Sequence, residues 1–114
     1  MEILTKTVEV LEEKEWCRLS LALDKDYRPA SLGKPEVCAV CWMGAMITAY
    51  MLLHPEYIDP FVIEEHLPLK AALQDVYDEL GMSVVAYNDS VAKSKQHVLN
   101  ATRRTIVALK YSQK

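Results

Sequence analysis

Glycine is nearly missing from this chain. Three glycines in 114 residues leave no glycine-rich phosphate loop, and H-E-x-x-H, a calcium-binding loop and G-x-S-x-G do not occur either. Cysteine comes in an odd number, Cys17, Cys38 and Cys41. Three thiols cannot close into a disulfide framework, and they fit a reducing, cytoplasmic setting. No basic segment followed by an apolar run opens the sequence, so its first residues do not read as a secretory signal. Positive charge is also short: 13 Lys and Arg against 16 Asp and Glu give a formal net charge of -3, which argues against general nucleic-acid binding. Low-complexity stretches, repeats and linkers are lacking.

What is present is apolar mass: 51% of the residues are hydrophobic, enough to build a core. The length predicts one helical domain over 1–114. Charge is unevenly spread. Residues 1–15 hold five Glu and two Lys, residues 54–80 hold seven acids and Lys70, and residues 81–114 hold six bases and Asp89. An acidic middle and a basic end either complement each other or stay solvated; the sharper reading is one basic face, Lys93, Lys95, Arg103 and Arg104, for an acidic partner.

Periodicity predicts an all-α fold, a compact bundle of about four main helices around a largely apolar central one. Leu4, Val8 and Leu11 share a face of the first helix. Trp16, Leu19 and Leu23 recover helical spacing after a kink or break, and Asp24 to Pro29 ends the segment in a turn. Residues 37–53 hold no charged side chain. A central core helix from about Glu36 to Leu53 is the expectation, and a membrane span is not. Asp59-Pro60 suits a helix start and residues 61–66 a short helix. A third helix carries Leu69, Leu73, Val76 and Leu80 and stops at Gly81. Met82 to Tyr87 reads as an extended connector or short helix in preference to a strand. Asn88-Asp89-Ser90 then caps a fourth helix, Val91 to Leu109, with Val91, Val98, Ala101, Thr105 and Ala108 inward.

Chemistry-bearing residues are few. Cys38 and Cys41 form a C-x-x-C, which at i and i+3 of a helix would put two thiols on one side. No second pair completes a metal set, so no metal or cofactor is expected, and Cys38 and Cys41 stay as minor metal candidates. The acidic pairs read as exposed helix faces. Trp16, Arg28, Trp42, Tyr87, Asn88 and Asp89 are the candidate ligand or interface residues, because aromatic and Arg anchors dominate many interfaces.

Trp16 to Leu23 followed by Asp24-Lys25-Asp26-Tyr27-Arg28-Pro29, Ala39-Val40-Cys41-Trp42-Met43-Gly44-Ala45, and Tyr87-Asn88-Asp89 followed by Val98-Leu99 resemble three signatures of a group of small uncharacterised proteins of bacteria and their phages. Tyr27 stands where that group has Gly, and Cys41 and Trp42 stand in reversed order. The resemblance implies a helical fold and no assigned activity. The expected function is that of a small intracellular accessory protein, phage-encoded, that binds another protein. Self-association is left open, and nucleic acid and membrane are not expected partners. The alternative is an enzyme or small-ligand domain using the Tyr87-Asn88-Asp89 turn.

Overall fold

In the computed structural model, residues 1–55 and 66–112 are described. The fold is mostly helical with a small sheet. Helix α1 (Glu2–Glu13) buries Ile3, Leu4, Thr7, Val10 and Leu11, the stripe set by its apolar spacing. Lys14 then turns extended, with φ -99° and ψ 159°, and the chain leaves the helix.

The expected helix through Trp16 and Leu23 is replaced by strands, so the fold is not all-α and not a pure four-helix bundle. Strands β1 (Glu15–Trp16), β2 (Ala22–Leu23) and β3 (Ala39–Val40) form a sheet of order β1-β3-β2. In it Glu15 and Trp16 lie parallel to Ala39 and Val40, while Leu23 and Ala22 lie antiparallel to the same two residues. Strands of two residues are too short to show a period of two. Trp16 and Leu23 happened to fall at helical spacing instead. The ladder continues past the strands: Glu15 N–H donates to Cys38 O at 3.0 Å, Cys17 N–H to Val40 O at 3.1 Å and Cys41 N–H to Leu21 O at 3.2 Å.

The turn from Asp24 to Pro29 forms as its residues foretell. The Asp24 carboxylate accepts the N–H groups of Asp26 at 2.8 Å and Arg28 at 3.1 Å. Tyr27 sits there at φ 60°. That is the left-handed region, which favours glycine over a residue with a side chain.

Because β3 occupies residues 39 and 40, the central helix α2 begins later than expected, at Trp42, and runs to Leu53. It is buried from Trp42 through Ile47 and again at Ala49 and Tyr50, as its uncharged run implies. Gly44 lets it approach the sheet: a Cβ there would lie 2.1 Å from the Leu21 carbonyl oxygen. Helix α3 (Leu67–Leu80) starts with a proline in its first turn and ends at Gly81, φ 76°, as expected. The expected short helix over residues 61–66 and its Asp59-Pro60 start fall largely on 56–65, outside the described residues.

A short helix, α4 (Val84–Ala86), runs into one wide turn, Tyr87–Val91, closed by Ala92 N–H on Tyr87 O at 2.9 Å. Asn88, Asp89 and Ser90 therefore do not cap the last helix, α5 (Lys95–Ser112). Its start is instead served by the Ser94 hydroxyl, 3.4 Å from His97 N. Val98, Ala101 and Thr105 face the core as expected, whereas Val91 is exposed. No helix of the described residues is long and apolar enough to cross a membrane.

Candidate functional site

Asn88 is 1% exposed, and all four of its side-chain hydrogen-bonding positions are used. Its Oδ1 accepts the Trp16 indole N–H at 2.7 Å and the Trp42 backbone N–H at 2.9 Å. Its Nδ2 donates to Cys17 O at 3.2 Å and to Asp89 Oδ1 at 2.9 Å. One amide thus joins the β1 end, the first residue of α2 and the wide turn. Three segments far apart in the chain, at Trp16-Cys17, Trp42 and Asn88-Asp89, converge on this atom group. Each bond contributes about 1 kcal/mol net, and losing one partner of a buried pair costs about 1–3 kcal/mol.

Tyr87 packs edge-to-face on Trp42, ring centroids 5.5 Å apart. Trp42 is fully buried, and its indole N–H has no hydrogen-bond partner among the described residues. The Arg18 guanidinium sits 5.3 Å from the Trp16 ring centre and donates to the Ala92 carbonyl. Arg28 does not join the group: it is exposed on the Asp24 turn.

Above Asn88 the chain is strained. Asp89 Oδ1 also accepts the Leu19 N–H at 3.1 Å, and Leu19 is held at φ 64°. A leucine in this region costs roughly 1–2 kcal/mol. The residue is 85% exposed, so no burial offsets the strain, and it lies in no helix although its spacing from Trp16 and Leu23 is helical. Leu19, Ser20, Leu21, Cys41, Val85, Asn88 and Asp89 line a hollow of about 180 Å³. Val85, 49% exposed, is the wall shared with a second hollow of about 340 Å³, which Met43, Leu73, Tyr77 and Val84 also line. Sequence reasoning missed Leu19, Leu21 and Val85, since apolar residues are assigned inward by default. The odd Arg-Leu-Ser-Leu alternation after Cys17 was the available signal.

Cys38 and Cys41 are not neighbours on a helix. Cys38 is exposed before β3, and buried Cys41 is the N-cap of α2, its Sγ accepting Gly44 N–H at 3.2 Å. Burial pushes the Cys17 thiol up to about 12, with the nearby Cys41 and Asp89 adding to the shift. Burial also raises Cys41, against the backbone N–H groups of Gly44 and Met43. Both thiols are protonated at neutral pH, which makes them poor nucleophiles. Among the described residues no group of three His, Cys, Asp or Glu is placed to hold a metal.

The basic residues of α5 meet acids from its neighbours. Arg103 lies 3.5 Å from Glu12 of α1, and Arg104 lies 2.6 Å from Glu79 of α3. Lys95 Nζ donates to the Lys14 carbonyl at 2.9 Å, and Lys93 is exposed. Two of the four basic-face candidates thus pair with acids of neighbouring helices.

Fold and junction define a small, mostly helical protein whose sheet, central helix and wide turn are tied at one asparagine. The chain belongs to the family of unknown function DUF6197, which it matches over residues 1–108. No curated protein and no solved structure matches it.

Proposed function

We propose that this chain is a small accessory protein that acts by binding another protein through the face around Leu19, Leu21, Val85 and Tyr77. The observation that carries this reading is Leu19: an exposed leucine kept in a left-handed conformation by the Asp89 carboxylate. Backbone strain that gains no burial in the free protein suits a residue whose contacts are completed by a partner. The two hollows on either side of Val85 supply the concave part of such a face. On this reading the partner is a cytoplasmic protein of a bacterial host, in keeping with the resemblance to small proteins of bacteria and their phages.

The alternative, an enzyme or small-ligand domain built on Tyr87-Asn88-Asp89, has less support. Asn88 spends its whole hydrogen-bonding capacity inside the fold, and the adjoining thiols are held protonated. The test is affinity capture from the native host with wild-type protein and Leu19→Asp, both checked for equal helicity. A specific protein retained by the wild type and lost from the variant supports the reading. A partner retained equally by both, or none retained by either, removes it.

A further inference from the structure

The smaller hollow has a charge of its own. Among the side chains lining it, Asp89 is the one carboxylate, set beside Ser20, Asn88, Cys41 and the apolar residues, with no Lys or Arg. The carboxylate is half-buried. Its Oδ1 takes the Leu19 N–H and the Asn88 amide, while Oδ2 has no hydrogen-bond partner and Asp89 no ion pair among the described residues. Arg18, on the same loop as Leu19, is occupied by the Ala92 carbonyl and the Trp16 ring. A free carboxylate oxygen therefore sits in a concavity walled by Leu19, Leu21 and Val85. At about 180 Å³ the space is below the range of small-molecule and cofactor pockets, about 300–1,000 Å³, and suits one long side chain.

Resting on the docking reading above, we propose that this hollow receives a lysine or arginine side chain of the partner protein. The cationic head pairs with Asp89 Oδ2, and the methylene stem lies against Leu19, Leu21 and Val85. Both halves of an amphipathic basic side chain then find a match, apolar stem to apolar wall and cation to carboxylate. Partial burial keeps the charge pair less screened than an open surface pair, so the hollow selects for charge and not for hydrophobicity alone.

The test uses the full chain and three capped tripeptides, Leu-Lys-Leu, Leu-Arg-Leu and the uncharged control Leu-norleucine-Leu, followed by amide NMR shifts. The expected result is saturable movement of the Leu19, Val85 and Asp89 amides by the two basic peptides in the millimolar range, with affinity for the norleucine peptide lower by about tenfold. Asp89→Asn keeps an acceptor for the Leu19 N–H, so the variant should keep the wild-type fold and bind all three peptides as weakly as the control. Equal binding of all three peptides to the wild type overturns the cation site and leaves an apolar docking face. No saturable shift at these amides also overturns it. Butylammonium binding as tightly as Leu-Lys-Leu would assign the hollow to free amines and overturn the protein source. Loss of partner capture in Leu19→Asp with none of the expected peptide behaviour would sink this inference alone, leaving the docking face in place.

Discussion

The Trp16 indole N–H and the Asn88 side-chain oxygen meet at 2.7 Å across 72 residues of sequence. The same oxygen receives the first N–H of the central helix, so its removal orphans a half-buried indole N–H and a buried backbone N–H at once. Asn88→Ala also leaves the Cys17 carbonyl without its amide. At about 1–3 kcal/mol for each group left unpaired, the variant should lose roughly 4 kcal/mol or more in urea unfolding. A loss below about 1 kcal/mol would mean that the node is solvated and does not organise the fold.

Among the described residues, two with side chains occupy the left-handed region, Leu19 and Tyr27, and their replacement by glycine should separate strain from use. Tyr27 is 74% exposed, so Tyr27→Gly relieves strain and sacrifices little packing. An increase of about 1 kcal/mol in unfolding free energy is expected. Leu19→Gly should stabilise by a similar amount and weaken partner capture. A Leu19→Gly protein that gains stability and captures its partner as before would show that the leucine side chain has no role.

Gly44→Ala reverses the usual helix preference. Alanine in a helix interior is favoured over glycine by about 1 kcal/mol, yet here its Cβ would lie 2.1 Å from the Leu21 carbonyl oxygen. Backbone must shift to admit it, so thermal unfolding should show a net loss of stability, and Leu21 amide shifts should report the displaced strand end.

Thiol chemistry should divide the three cysteines. Cys38 is exposed, and Cys17 and Cys41 are buried, so an alkylating reagent at neutral pH should modify Cys38 first and the other two on the unfolding timescale. The folded state holds the Cys17 proton more tightly than the unfolded chain, whose thiol titrates near 9.0. Stability from that difference is full below 9.0 and is lost as pH rises toward about 12. Wild type should therefore lose stability relative to Cys17→Ala across that alkaline window. On the acid side, the Arg28 N–H bond lowers Asp24 from 3.8, so the turn should loosen as pH falls through that range.

The helices that bury a regular stripe were legible from spacing alone. Leu69, Leu73, Val76 and Leu80 with Gly81 located α3, and the uncharged run after Val37 located the buried centre. The sheet was not legible, because its strands are two residues long and are defined by pairing between distant segments. For Asn88 the cap reading fails while its place in the fold was not legible. Its neighbours Asp89 and Ser90 suggested a cap, whereas its actual partners Trp16, Cys17 and Trp42 come from elsewhere in the chain. Leu19 falls at helical spacing between Trp16 and Leu23, and nothing local records its left-handed φ or the carboxylate that holds it.

The central claim is that the Leu19 face docks a protein, and photo-crosslinking from that face tests it most directly. A benzoylphenylalanine placed at position 19, and as a control at exposed Val107 on α5, is irradiated in the native host. One discrete protein adduct from position 19 and none from position 107 is the expected result. No discrete adduct from position 19, or the same adducts from both positions, would contradict the account.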